Sequence, residues 1–232
     1  MKIRLLSYSV PTEEFRAEGL ENVQDLVAYC ARVSNPGNQL KTETSKKLIK
    51  YLIKYKHWSP LEMVNVCMEI ETTRDIARQI LRHRSFSFQE FSQRYADPIN
   101  ELEFVKREAR LQDPKNRQNS IDIENNASTQ ADREKIDLIQ EWQLRQQGVI
   151  TIARSAYKWA IDHNIAKEQA RAVLPEGLTV SRLYVNGTLR SWVHYISLRS
   201  AHGTQKEHML IAKECAKVIA EIFPLINELD ND

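Results

Sequence analysis

Cysteine is scarce in this chain of 232 residues. Cys30, Cys67 and Cys215 are odd in number, lie far apart and form no CxxC pair. That excludes a disulfide framework and a zinc knuckle, and it fits a reducing, cytoplasmic setting. The six glycines are scattered and build neither GxGxxG nor a P-loop. A Rossmann-type cofactor domain is therefore not expected, and any phosphate must be held by arginine side chains, which can grip it bidentately. No apolar run approaches the roughly 20 residues that span a bilayer. Residues 1–8 are too short in apolar run for a signal peptide. Charge of one sign is lacking too: the formal net charge is +2, so bulk electrostatics does not predict binding to a nucleic acid polymer. What remains is ordinary globular composition, 42% hydrophobic and 28% charged, with no internal repeat and no boundary. One domain over residues 1–232 is expected, long enough to bury a core unaided.

Periodicity sketches mixed α/β structure. Lys2 to Val10 reads as a strand stopped by Pro11, and Glu21 to Ala31 as a short helix. Ser45 to Lys56 is a helix with Leu48, Ile49, Leu52 and Ile53 on one face and a solvated lysine face elsewhere. Met63 to Glu71 alternates with period two, as a half-buried strand does. Thr72 or Thr73 can cap the next helix, which runs to Arg82 on a stripe of Ile76, Ala77, Ile80 and Leu81. Residues 110–135, rich in Asn, Gln, Asp and Ser, read as a mobile excursion. A long helix follows from Ala131 to Asn164, with Gly148 as a weak point, then a short helix from Ala166 to Leu174 ended by Pro175. Leu178 to Val185 favours a strand, and Asn186-Gly187 a turn. Thr188 to Arg199 and Gln205 to Leu229 read as the last helices.

The densest chemistry lies in Arg82-His83-Arg84-Ser85-Phe86-Ser87-Phe88-Gln89-Glu90-Phe91-Ser92-Gln93-Arg94-Tyr95. Three arginines, a histidine, a carboxylate and three serines sit among four aromatics. Cations at a helix C-terminus are favoured by the macrodipole, which accounts for one or two of them but not for the ordered series that follows. The combination suits a loop gripping an anionic, planar ligand such as a nucleotide. Gln79, Arg82 and His83, at i, i+3 and i+4, share the polar face of their helix. Arg199 extends the apolar stripe of Leu189, Trp192, Val193 and Ile196, so its guanidinium is turned inward. An inward charge needs an anion, either a buried carboxylate or a ligand. The three cysteines lie in patterns of packing residues, and His163 and His208 read as surface positions.

These residues resemble a family. Arg82-His83-Arg84, seven residues, then Ser92 matches the signature of flavin-dependent thymidylate synthases, extended at Ser87, Glu90, Arg94 and Tyr95. Ala31-Arg32-Val33-Ser34, His57-Trp58-Ser59-Pro60-Leu61-Glu62, Gln169 to Pro175, and Leu189-Arg190-Ser191-Trp192 through Leu198-Arg199 resemble further blocks in the same order. Gln89 departs from the family's usual Asn. The resemblance implies an α/β fold, a twisted, mainly antiparallel sheet with surrounding helices of the thymidylate synthase-complementing type. It implies a methyltransferase that converts dUMP to dTMP with methylenetetrahydrofolate as carbon donor, NADPH as reductant and FAD as hydride carrier. It also implies a homotetramer with sites between subunits.

By resemblance, Gln79, Arg82, Glu90, Phe91, Ser92, Gln93, Arg94, Arg171 and Arg199 contact dUMP. Arg82, Arg94 and Arg171 carry the charge for its phosphate. Arg199 is the catalytic residue, stabilising negative charge on the uracil. Ser59, Arg82, His83, Arg84, Glu90, Thr188, Leu189, Arg190 and His194 contact FAD, with His57 and Ser34 as further candidates and Asn186 as the alternative register to Thr188. No metal is expected. A thiol nucleophile is not needed where the cofactor carries the hard chemistry, and Ser92 is expected to position rather than attack. The competing reading is a non-catalytic nucleotide- or RNA-binding protein, whose arginines interleave with Phe88, Phe91 and Tyr95.

Overall fold

The alternating segment around residue 68 becomes one of the two inner strands of an antiparallel sheet. The computed structural model describes residues 1–124 and 130–226. Its elements begin β1 (Lys2–Tyr8), α1 (Glu13–Ala17), α2 (Val23–Ala31), α3 (Ser45–Lys54), β2 (Asn65–Thr73), α4 (Arg74–Ile80), β3 (Ser87–Glu90) and α5 (Pro98–Glu101). They continue β4 (Arg110–Gln112), β5 (Ser120–Asp122), α6 (Gln130–Asp162), α7 (Lys167–Ala170), β6 (Val180–Thr188), α8 (Leu189–Ser200) and α9 (Lys206–Ala220). The main sheet has the order β1-β2-β6-β3 with every neighbour antiparallel, and β4 pairs with β5 alone. This is the mixed α/β fold expected.

Period two sorts the two faces of the sheet. Val66, Met68 and Ile70 of β2 and Leu183 and Val185 of β6 are buried in the core. The opposite face is polar, tied by cross-strand pairs of Arg4 with Glu69 at 2.8 Å and Arg182 with Glu71 at 2.7 Å. α8 and α9 close the apolar side with Trp192, Ile196, Ile211, Cys215 and Ile219. Trp192 is fully buried, and its indole N–H donates to the Val66 carbonyl at 2.9 Å. Burying such a side chain stabilises by about 2–3 kcal/mol, provided its polar handle finds a partner, as here.

Several expectations change. Asn186-Gly187 is no turn: β6 runs unbroken to Thr188, paired with β2 along one edge and with β3 along the other. Gly187 is there for a close approach, because a Cβ on it would lie 2.3 Å from Cδ1 of the Phe86 ring. Within the presumed loop, Ser87–Glu90 is an edge strand, ordered by its ladder to β6 rather than by local propensity. Residues 110–122 are not a loose excursion but carry the β4–β5 hairpin. It is docked on α9 through Arg110 to Glu207 and Lys206 to Asp122. The rest of that stretch up to residue 129 includes positions 125–129, outside the described residues. Gly148 does not interrupt α6. α9 is shorter than expected, and residues 227–229 lie outside the described residues. Thr73 is the N-cap of α4 by position, yet its hydroxyl bonds Asp75 and Arg107 instead of a helix amide.

Candidate active site

One turn and one helix place most of the chemistry. After α4 the chain turns through Arg82 to Ser85, closed by the Phe86 N–H donating to the His83 carbonyl at 3.2 Å. Phe86 drives the turn home: its ring lies 4.6 Å from Trp192 and 5.7 Å from Tyr195. The Ser191 hydroxyl on α8 donates to the Ser85 carbonyl at 3.2 Å. Arg82 and Arg84, on either side of half-buried His83, are exposed. Among the described residues neither has a carboxylate partner.

Arg199, at the far end of α8, is half-buried, and its Nε–H donates to His83 Nε2 at 2.9 Å. The inward orientation expected from the stripe is borne out, but the partner is an imidazole. Among the described residues no carboxylate pairs with Arg199. Burial first, and then the Arg199 charge, lower the His83 pKa, so His83 accepts as a neutral ring. A half-buried cation facing a neutral acceptor leaves its charge uncompensated.

Beneath this pair lies a residue misplaced by sequence reasoning. His208 is not on the surface: it is fully buried, with Nδ1 3.1 Å from Gln79 Oε1 and Nε2 3.1 Å from the Tyr195 hydroxyl. The signal was present, since position 208 continues the Ile211, Ala212, Cys215, Ile219 stripe of α9 at helical spacing. Burial first, and then the charge of Arg199, push its pKa down from 6.5 to about 4. The sign of the effect on stability follows from linkage. An unfolded imidazole takes up a proton near pH 6.5 and the native one only near 4. Stability is therefore level above pH 6.5 and falls between 6.5 and 4, by at most about 3 kcal/mol from this group. Glu207, held at about 2 against an ordinary 4.5, adds a second loss as pH drops from 4.5 towards 2. Urea midpoints measured against pH should show both steps, and His208→Gln should shrink the upper one, to which His83 and His194 also contribute through their lowered pKa values; an upper step of undiminished size contradicts the assignment.

Of the flavin candidates, Thr188, Leu189, Arg190 and His194 lie at the start of α8, whereas Arg82, His83 and Arg84 lie on the turn after α4 and Glu90 ends β3. Thr188 caps α8, its hydroxyl accepting from the Ser191 N–H at 3.2 Å. Asn186 lies on the sheet face opposite Val185 and Gly187, the same face as Thr188, and is exposed there. Arg190 forms an ion pair with Glu62 and reaches towards His194. The His194 ring meets Trp58 at 4.7 Å. An open hollow of about 520 Å³ is lined by His57, Trp58, Ser59, Pro60 and Arg190. Leu189 differs from expectation: its side chain is fully buried in the core and its N–H donates to Val64, because it opens the apolar stripe of α8. Ser34 is exposed beyond α2.

The remaining nucleotide candidates follow β3. Glu90 turns to the core face, accepting from Ser181 at 2.8 Å and lying 3.6 Å from Arg74. The Phe91 N–H donates to the Arg182 carbonyl. Ser92 Oγ accepts from the Arg94 N–H, a turn that orients both. Gln93 is only 3% exposed, and its Nε2 has no partner, an orphaned buried donor. Arg94 meets Glu168 at 3.1 Å, and Arg171 Nε–H donates to the Glu168 carbonyl at 3.2 Å, so Arg94 and Arg171 are brought together. Gln89 sits exposed on the edge strand opposite Tyr184. A separate hollow of about 540 Å³, lined by Glu71, Thr73, Leu102, Arg107 and Arg182, holds none of these residues. The thiols of Cys30, Cys67 and Cys215 are all raised by burial, so none is an activated nucleophile. Among the described residues no cluster suits a metal ion.

The family model described as thymidylate synthase complementing protein matches residues 18–225. The chain belongs to that family. Among its relatives, the probable flavin-dependent thymidylate synthase of Paramecium bursaria Chlorella virus 1 is 41% identical over 227 residues, 97% of each chain. The flavin-dependent thymidylate synthase of Synechocystis sp. is 43% identical over 227 residues, again 97% of each. The UMP/dUMP methylase PolB from Streptomyces cacaoi, solved with 5-Br dUMP, shares the fold of this thymidylate synthase complementing chain. Its TM-score is 0.77 at 24% identity, covering 98% of this chain and 93% of that one.

Proposed function

We propose that this chain is a flavin-dependent thymidylate synthase, methylating dUMP to dTMP with methylenetetrahydrofolate as carbon donor, NADPH as reductant and bound FAD. The observation that carries the reading is Arg199, a half-buried guanidinium with a neutral imidazole for its protein partner. A pyrimidine that gains negative charge during the reaction would meet that cation in a site of reduced dielectric. FAD, when bound, supplies the redox chemistry. The residues at the start of α8 suit such a cofactor, with Arg84 and Arg190 offering charge to its phosphates and Trp58 and His194 offering ring faces to its planar parts. Ser59, His57, Thr188 and the Leu189 backbone border the same region. Arg94 and Arg171 hold the nucleotide phosphate, with Arg82 flanking it, and the orphaned Gln93 donor finds an acceptor in the nucleotide. Ser92 orders the turn and performs no attack.

Arg82 and Arg94 are exposed and Arg171 is half-buried, as expected of cations in a site completed by a second copy. α6 supports a homotetramer, since Ile152 and Trp159 are 72% and 57% exposed beside an apolar hollow with Ile165 and Val173. Among the described residues no helix is long and apolar enough to cross a membrane, and the free thiols are compatible with the cytoplasm.

Purified protein tests the reading directly. It should be yellow with a flavin spectrum, bleach with NADPH, and yield dTMP when dUMP and methylenetetrahydrofolate are added. A colourless preparation that takes up no FAD and instead retains RNA would overturn it in favour of a binding protein.

A further inference from the structure

A chain of four hydrogen bonds runs from the core to the rim of the candidate nucleotide site. Glu207, in the first turn of α9, is clamped by Arg110 and by Arg107 at 3.1 Å. Burial alone would raise its pKa, but the two guanidinium groups hold it ionised. An ionised carboxylate only accepts hydrogen bonds. The Gln205 side chain, 3.0 Å from Glu207 Oε2, must therefore turn its amide nitrogen to the carboxylate and its oxygen to Gln79. Gln79 must in turn offer its nitrogen to that oxygen, at 2.8 Å, and its own oxygen to His208. His208 then carries its proton on Nδ1 and accepts at Nε2 from the Tyr195 hydroxyl. Every donor along the chain points towards Glu207. No member can flip alone without placing two donors or two acceptors face to face, which loses a hydrogen bond, at a buried site in the case of His208.

We propose that Gln205, Glu207 and His208 are positioning residues that hold the Gln79 amide with its second N–H towards the site, so that it donates to an oxygen of the bound nucleotide. The inference rests on the reading of Gln79 as a nucleotide contact and adds which end of the amide it presents. A presented carbonyl would repel a phosphate or a uracil oxygen; a presented N–H attracts either. The β4–β5 hairpin acquires a role as well, since Arg110 opens β4 and anchors the charged end of the chain.

The flavin-loaded enzyme serves for the test. Gln205 is exposed, so Gln205→Met severs the chain without disturbing the core. It should raise KM and Kd for dUMP by about tenfold, the loss of one oriented hydrogen bond, with kcat and flavin content near wild type. Gln79→Met should raise them as much, and the double variant no further, because both act through one amide. Nitrogen-15 spectra of wild-type protein should show His208 protonated at Nδ1 and bare at Nε2, which requires no variant to fold. Wild-type protein that takes no dUMP overturns the nucleotide reading first. Wild-type protein that binds dUMP while Gln205→Met binds it equally well, a double variant that is additive, or an Nε2–H tautomer overturns this inference alone.

Discussion

Arg199→Ala lowers dTMP formation by roughly a thousandfold, the scale of losing a preorganised charge at a reacting centre. The melting temperature and the bound flavin stay close to wild type, because Arg199 makes its contact with the protein through one hydrogen bond to His83 and sits only half-buried. Its aliphatic stem is the part that packs. Removing the guanidinium also takes away one of the two causes that depress the His83 pKa, so His83 should titrate closer to its ordinary range in the variant. Arg199→Lys keeps the charge but not the planar fork, and it should recover only part of the rate. Single-turnover kinetics with dUMP at saturation separates lost chemistry from lost binding. Turnover near wild type in Arg199→Ala would refute the role.

Gly187→Ala is the substitution expected to harm the fold most for its size. The new methyl group would stand 2.3 and 2.6 Å from two carbons of the Phe86 ring. Phe86 cannot swing away freely, since it packs against Trp192 and Tyr195 in the core. Overpacking of this kind costs about 3 kcal/mol. The site suffers with the fold, because Phe86 seats the turn that carries Arg82, His83 and Arg84. The variant should therefore lose flavin at a temperature where wild-type protein retains it. Phe86→Leu in the same chain vacates the space and should restore part of the stability, a coupling visible in a double-mutant cycle of urea unfolding energies. A Gly187→Ala protein as stable as wild type would show that the ring yields easily and does not fix the turn.

The one-dimensional pattern was sufficient for much of this molecule. Alternation at 64, 66, 68 and 70 marks a strand with one buried face whatever it pairs with, because period two is local. The stripe from Leu189 to Ile196 places Arg199 inward by helical geometry alone. The ordered series from Arg82 to Tyr95 names the candidate site, since it rests on residue identity at fixed spacing. Sequence also removed alternatives: without a glycine-rich loop or paired cysteines, phosphate recognition had to fall to arginines.

What the pattern could not decide depends on partners distant in the chain. Asn186-Gly187 has turn chemistry, yet ladders on both edges keep it extended, and the glycine answers to the Phe86 ring a hundred residues earlier in the chain. Ser87–Glu90 is a strand only because β6 lies beside it. Arg199 could have met a carboxylate or a ligand; that it meets neutral His83 is a tertiary fact. His208 lay on a legible stripe, but the direction of its hydrogen bonds is set by Glu207 through Gln205 and Gln79, and the charge of Glu207 by two arginines from the segment before the long helix. Local sequence determines which face of an element is apolar. Only the packed structure determines which polar group is left without a counter-charge, and that group is where a substrate is expected to bind.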